Sequence, residues 1–269
     1  MSDNSEKNRL RELLDLNEFK FYYYMPDSEV AKTDLGYFIK NKSIETYSYV
    51  TPTHLGDTNF EDFLSYAFSY FNNGQEYFVV KVFYNNTYRK NSKILREKNF
   101  LHYPIDTSLM YWTNENRSKL LPDEEVELVL LTEKNANRWV DVFFDSFSYP
   151  NHLRKYLTAM VDEQISHGID FYVGRKFNKD ISCFCAFEYE NFIGFYGVGT
   201  KKRFRRQAYA TKIMSNYILS VLDKSPNAQF CLQAQSSSGA EQLYLNLGFT
   251  IPFIQKRFDW DPSTINLSL

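Results

Sequence analysis

The chain has only three cysteines in 269 residues, Cys183, Cys185 and Cys231. An odd number without framework spacing excludes a disulfide scaffold and points to reduced thiols in a cytoplasmic protein. Nor do they make a metal centre. Cys183 and Cys185 stand two apart on an expected strand, and His54, His102, His152 and His167 are scattered, so no metal is expected. No run of about 18 apolar residues occurs, and residues 1–9 are polar, without the apolar stretch of a signal peptide. Neither secretion nor a membrane partner is expected. Positive charge is not in surplus either. The net charge is −2, and five basic residues crowd positions 201–206, leaving −7 on the rest. A long polyanion needs a broad basic surface, so no nucleic-acid partner is expected. A local cluster suits a compact anionic ligand.

What the chain does have is a large apolar fraction, 43%, ample for a core, and 18% aromatics, nearly all Tyr and Phe. Such rings fill a core with few residues and can also line a ligand cleft. Apolar periodicity predicts a short opening helix around Leu10, Leu13 and Leu14, and strands at 19–25, 37–39 and 46–50. A helix is predicted over 59–71, with Thr58 and Glu61 as its capping box. Then follow a strand at 77–84, a helix at 92–98 and a strand at 107–112. Polar residues 114–123, with Pro122, read as a linker. Beyond it come a strand at 126–131, a helix holding Trp139, Val140, Phe143 and Phe144, and another helix at 153–165. Strands are predicted at 172–173, 181–189 and 192–198, the last two as a hairpin, then a helix at 210–222 and a strand at 229–234. A helix at 239–247, opened by Ser238 and Glu241, and a strand at 253–258 complete the pattern. Residues 94–100 parallel 243–249: each pairs a helix end with an αL-tolerant residue, Asn99 or Gly248, before a Phe.

The most informative stretch is 198–210. An apolar strand runs into Val198, Gly199 and Thr200, then into the basic turn Lys201, Lys202, Arg203, Phe204, Arg205, Arg206, and through Gln207, Ala208, Tyr209 and Ala210 into a helix. Free N–H groups and the positive end of the helix dipole make this a phosphate site, and the small Ala208 and Ala210 let a ligand approach the backbone.

This stretch resembles the acetyl-CoA-binding loop of the GCN5-related N-acetyltransferase (GNAT) superfamily, in which Arg or Gln is followed by two residues, Gly, one residue, then Gly or Ala. Arg205, Ala208 and Ala210 fill the pattern, with Ala208 and Arg206 standing where the family has Gly. Downstream, Ala240, Leu243, Tyr244, Gly248 and Phe249 resemble the family's Ala-x-x-Leu-Tyr-x-x-x-Gly-Phe signature, with Ser237 in place of its usual Asn. The resemblance covers about 126–260 and implies an α/β (α+β) fold. Its mixed, mostly antiparallel sheet would be flanked by helices and have splayed central strands, here with an N-terminal α/β subdomain added. The expected division is 1–122, an N-terminal α/β subdomain that echoes the second signature as a degenerate GNAT-like half would, and 123–269, the GNAT-like acetyltransferase domain.

The resemblance also implies roles. Acetyl-CoA would be the cosubstrate, its pantetheine bonded at Val198 and Thr200, its pyrophosphate on N–H groups of Arg205, Arg206, Gln207, Ala208, Tyr209 and Ala210, and Ser237 contacting CoA. Tyr244 would protonate the leaving thiolate; its alternative is a core phenol. Leu95 stands at the matching place of the first half, which therefore has no such acid. The acceptor would be a small-molecule or peptide amine. Asp162, Glu163, Asp170, Glu188 and Glu190 are candidates for the base, none of them assigned. A CoA-binding module without catalysis and a tandem-GNAT aminoacyl transferase remain as other readings.

Overall fold

The computed structural model of the chain describes residues 2–53 and 59–265. Its first element corrects the sequence reading. The expected opening helix and the expected strand at 19–25 merge into one helix, α1 (Ser2–Tyr23). Every residue from 14 to 19 is buried, including Asp15, Asn17 and Glu18. Polar and apolar side chains are mixed through this buried stretch rather than sorted onto two faces, so no helical period shows, and the adjacent aromatics read as a strand. The buried amide is satisfied from outside the helix: Asn17 Nδ2 donates to Phe187 O at 3.2 Å and to Phe192 O at 3.0 Å.

Strands β1 (Ser28–Lys32), β2 (Gly36–Asn41) and β3 (Tyr49–Pro52) follow; a 3-10 turn, Glu45–Tyr47, takes up residues 46 and 47 of the strand expected at 46–50. Helix α2 (Phe60–Tyr70) buries Phe60, Phe63, Leu64 and Ala67. Asn59 caps it, accepting from Glu61 N at 3.2 Å, while the expected cap Thr58 lies outside the described residues. Next come β4 (Phe78–Phe83), α3 (Tyr88–Glu97), the two-residue β5 (Leu101–His102), β6 (Thr107–Trp112) and β7 (Glu127–Leu130). Helices α4 (Asn137–Phe147) and α5 (Arg154–Ser166) lead to β8 (Asp170–Lys176), β9 (Lys179–Tyr189) and β10 (Phe192–Thr200). The chain continues through α6 (Tyr209–Leu222), β11 (Gln229–Gln235), α7 (Gly239–Asn246), β12 (Thr250–Trp260) and the short α8 (Pro262–Ile265).

Among the described residues twelve strands form one sheet in the order β1-β2-β3-β4-β12-β6-β11-β10-β9-β8-β7, with β5 on β12. Among the described pairings only β3–β4 and β10–β11 are parallel. The two late strands change sides. β6 pairs with β11 and β12 pairs with β4, while β6 and β12 pair with each other at the centre. The sheet is thus continuous across the linker at 114–123. Helices α6 and α7 pack one face through Phe195, Phe230 and Leu232. On that same face α2 and α3 cover Phe78, Val80 and Phe258. The opposite face carries α4 and α5 over Phe171, Val173 and Cys185, and α1 over Tyr37, Leu109 and Phe192.

Candidate functional site

Two irregularities in β10 shape the site. Against β9, its register jumps between Tyr196, opposite Cys185, and Gly199, opposite Cys183, so Gly197 and Val198 bulge over a single partner residue. Gly197 has φ +60°, and a Cβ there would stand 2.6 Å from Trp139 Cζ2, so only glycine fits. Against β11, pairing stops at Phe195 and Leu232, yet β10 continues to Thr200 and β11 to Gln235. The parallel pair opens into a fork whose two inner edges have no ladder partner in each other.

The turn after β10 is tied to α4. Lys202 N donates to Asp145 Oδ1 at 2.6 Å, and the Arg205 guanidinium donates to Thr200 O and Ser146 O. The side chain of Arg205 therefore braces the loop. Two residues of the turn hold left-handed backbone without being glycine: Arg206, φ 62°, and Ala208, φ 57°. A side chain in that region costs about 1 kcal/mol each. Ala208 is the N-cap of α6 and makes no side-chain cap bond. The first N–H groups of α6, from Tyr209, Ala210 and Thr211, have no intrahelical acceptor and sit at the positive end of the helix dipole. Tyr209 is buried and anchors the helix start, while Arg206, Gln207 and Ala208 are exposed.

The second signature segment meets the first inside one apolar cluster. Tyr209, Ala234, Tyr244, Leu247 and Phe249 belong to it, and Val198 packs against it. Ser238 caps α7, accepting from Glu241 N at 3.1 Å, and Glu241 turns back to accept from Ser237 N at 3.0 Å and from the Ser108 hydroxyl. Ser237 is exposed on the turn, with φ 59°. Tyr244 is buried against Phe249, ring centroids 6.0 Å apart, and burial pushes its phenol well above the ordinary value. Its hydroxyl makes no hydrogen bond among the described residues.

The five carboxylates considered as bases lie away from the fork's opening. Glu188 pairs with Ile193 and Glu190 sits in the β9–β10 turn, both at the closed end. Asp170 is two strands from β10 and accepts from Tyr172 Oη at 3.2 Å, and Asp162 and Glu163 belong to α5.

A polar cavity of about 330 Å³ opens instead on the face beneath α1, lined by Glu18, Tyr22, Tyr49, Lys81, Gln233 and Gln255 among others. Lys81 Nζ lies 2.5 Å from Glu18 Oε1 and 3.7 Å from the centre of the Tyr49 ring. Tyr49 Oη and Gln255 Oε1 are buried without a partner. Each such orphan costs about 1–3 kcal/mol. Behind Gln255, Asp15 is pushed up to about 7 by burial, against the pull of Arg11. Gln233 is the first residue of β11 beyond its last partner on β10, so the cavity reaches the fork. Sequence reasoning missed this group because its members lie on five separate elements. The one local signal is the run of ionisable and amide residues at 15, 17 and 18 among the leucines and phenylalanines of α1.

Among the described residues no group of three or more His, Cys, Asp and Glu could hold a metal ion, and no helix is long and apolar enough to cross a membrane. No family model and no curated protein matches the chain. Solved structures do. The chain is similar to a GCN5-related N-acetyltransferase from Kribbella flavida, at 12% identity and TM-score 0.64 over 93% of this chain and 95% of that one. It is similar to a functionally unknown conserved protein from Staphylococcus epidermidis, at 13% identity and TM-score 0.63 over 88% and 95%. It is also similar to a tandem GNAT protein from the clavulanic acid biosynthesis pathway, at 8% identity and TM-score 0.63 over 87% and 83%. At such identities the likeness is one of fold.

Proposed function

We propose that this chain, whose fold is that of the GNAT acetyltransferases, is an acetyl-CoA-dependent N-acetyltransferase acting on a small-molecule or peptide amine. The observation that carries this reading is the start of α6. Arg206 and Ala208 keep left-handed backbone at the two positions where the resembling loop has glycine, and both are exposed, so packing does not account for the strain. What the strain accomplishes is to turn uncapped N–H groups outward beside a fork of parallel strands.

Acetyl-CoA would supply the acyl group as a thioester. The N–H groups of residues 205–210 and the α6 dipole would hold its pyrophosphate, with Lys201, Lys202 and Arg203 steering the anion in. The free edge of β10 at Val198 and Thr200 would bond the pantetheine, and a strand N–H would polarise the thioester carbonyl. Ser237 would meet CoA through its hydroxyl. Tyr244, kept protonated by burial, would give its proton to the sulfur as the C–S bond breaks. The amine attacks directly, so no covalent enzyme intermediate is needed, and none of these roles calls on a metal. Three free, buried cysteines are in keeping with a cytoplasmic enzyme.

We infer also that residues 1–122 are a degenerate GNAT-like half that binds no CoA. The parallel pair β3–β4 corresponds to β10–β11. Its open end is filled by Arg11, whose Nη2 donates to Pro52 O at 2.6 Å and whose guanidinium lies 4.0 Å from the centre of the Phe83 ring.

Calorimetric titration with acetyl-CoA, paired with release of free CoA thiol over a panel of amines, tests both statements. One site per chain and turnover with at least one amine are expected. Absence of acetyl-CoA binding would overturn the enzyme reading, binding without any turnover would leave only a CoA-binding module, and two sites per chain would overturn the degenerate half.

A further inference from the structure

The two arms of the fork make no ladder with each other beyond Phe195 and Leu232, so each is held from outside. The β11 arm keeps its neighbour: Gln233, Ala234 and Gln235 stay in register with Leu109, Ser108 and Thr107 of β6. The β10 arm is held less well. Its register with β9 is interrupted between Tyr196 and Gly199, so the ladder alone does not set its course there.

Helix α1 supplies the missing hold. Tyr196 is the first residue of β10 past its last partner on β11. Its ring stacks on Phe21, with centroids 3.8 Å apart and planes 2° from parallel. Its hydroxyl donates to Asn17 Oδ1 at 2.7 Å. The same amide donates through Nδ2 to Phe187 O of β9 and to Phe192 O of β10. Gly194 makes the room, since a Cβ there would stand 2.1 Å from Asn17 Oδ1 and 2.7 Å from the Tyr196 ring. One side chain near the start of the chain thus joins β9, β10 and the first residue of the fork.

Packing alone does not call for this arrangement. A leucine at 17 and a phenylalanine at 196 would cover similar surface without the cost of burying an amide and a phenol. What the polar pair adds is direction. Apolar contact is non-directional, whereas a hydrogen bond weakens steeply away from its preferred distance and angle. Asn17 is wholly buried, and both ends of its amide are engaged, so the amide has one orientation. Burial pushes the Tyr196 phenol well above its ordinary value, so the hydroxyl stays a donor.

We propose that Asn17 and Tyr196 are positioning residues for acyl transfer: together they fix the β10 arm at the place where Val198 and Thr200 would bond the pantetheine and a strand N–H would meet the thioester carbonyl. The proposal rests on the reading that acetyl-CoA occupies the β10–β11 fork. The pyrophosphate contacts do not depend on this pair, because the turn that carries them is braced separately by Asp145 and Ser146 of α4. The two residues therefore act on the rate of transfer and not on the grip on CoA.

Tyr196→Phe, alone and combined with Asn17→Leu, tests this through kcat and acetyl-CoA affinity per folded molecule, well below the melting temperature, and through amide hydrogen exchange along β10. Tyr196→Phe keeps the stacking but strands Asn17 Oδ1, so it should melt below wild type; the double variant removes the stranded amide and should melt no lower than the single one. Both are expected to lose kcat by about tenfold or more, since a misplacement of about 1 Å costs about a hundredfold. Both should hold acetyl-CoA as wild type does, and exchange residues 196–200 faster while 192–195 stay protected. A role in stability alone predicts wild-type kcat per folded molecule and wild-type exchange at 196–200 in the double variant, and either result would overturn the proposal. An acetyl-CoA affinity that falls as far as kcat would overturn it as well. If the double variant does not fold, Tyr196→Phe is judged by the same values. Absence of acetyl-CoA binding in wild type would overturn the preceding reading and the catalytic role with it, while exchange would still decide whether the pair holds the arm.

Discussion

Leu95 and Tyr244 occupy the same place in two helices that end in the same way. Phe100 N donates to Leu95 O and Phe249 N to Tyr244 O, both at 3.0 Å, after a left-handed residue, Asn99 at φ 65° or Gly248 at φ 96°. Leu95 is wholly buried and Tyr244 nearly so. The same backbone thus presents a methyl-bearing side chain in one half and a phenol in the other.

Tyr244→Phe is accordingly expected to leave the fold and the acetyl-CoA affinity intact, because no described residue bonds the hydroxyl, while lowering kcat by about 10²–10⁴-fold, the usual range for a lost proton donor. Leu95→Ala should do the opposite, costing about 2–5 kcal/mol through its cavity and leaving kcat per folded molecule unchanged. Urea unfolding and CoA-release kinetics on the two variants separate these outcomes.

The turn before α6 can be relieved or worsened. Ala208→Gly and Arg206→Gly remove left-handed strain worth about 1 kcal/mol each, less some entropy gained by the unfolded chain, so equal or slightly raised stability is expected. Ala208→Val puts a β-branched residue into the same conformation. It should lower stability by more than 1 kcal/mol, roughly, and weaken acetyl-CoA about tenfold or more by crowding the first N–H groups of α6. Chemical denaturation and calorimetry read both effects.

Gly197→Ala would bring a methyl group to 2.6 Å from Trp139 Cζ2 at φ +60°. Relief requires moving either the indole or the bulge, and moving the bulge changes the fork. A fall of about 1–3 kcal/mol in stability is expected, with weaker acetyl-CoA binding. A Gly197→Ala protein with wild-type stability and affinity would contradict the role given to the bulge.

Arg11 and Asp15 face one another at 3.5 Å deep under α1, and burial works against both charges: it lowers Arg11 and lifts Asp15 from 3.8 to about 7. An acid whose folded value is raised contributes stability that is whole below pH 3.8 and is lost as pH rises through about 7. The charged pair should therefore be a liability near pH 8, by at most about 4 kcal/mol. Arg11→Met with Asp15→Leu is expected to melt at or above wild type at pH 8, with the gap closing toward pH 5. Either substitution alone should destabilise, because it strands the other group. Melting curves of the double variant and wild type from pH 5 to 8 give the sign.

The parts legible in the sequence were those whose cause is local. The strand-to-helix turn at 198–210 and the capped helix ending at Gly248-Phe249 carry their own turn and cap residues, so β10, α6 and α7 lie within a few residues of their expected bounds. Helix α1 was illegible because its buried part mixes Arg11, Asp15, Asn17 and Glu18 with Leu14, Leu16 and Phe19, so polar and apolar residues do not separate onto two faces and no helical period shows. The cavity was illegible for a different reason. Glu18, Tyr49, Lys81, Gln233 and Gln255 sit on α1, β3, β4, β11 and β12, and only the sheet order brings them together. Arg206 and Ala208 looked like departures from a glycine pattern; the backbone they adopt is the glycine one all the same.

The strand exchange at the sheet's centre bears on how the chain can be divided. β4 relies on β12 from the far end of the sequence, and β11 relies on β6 from before the linker. A chain cut at residue 122 would yield an amino-terminal piece lacking the neighbour of β4 and a carboxy-terminal piece lacking the neighbour of β11. Each would present a raw sheet edge at what had been the molecule's middle: β4, whose single charge is Lys81, in one piece and β11, with neither charge nor proline, in the other, so little stands there to discourage self-association. Two such pieces made separately would precipitate or find one another, and mixing them would restore the sheet much as the two parts of a split reporter reassemble.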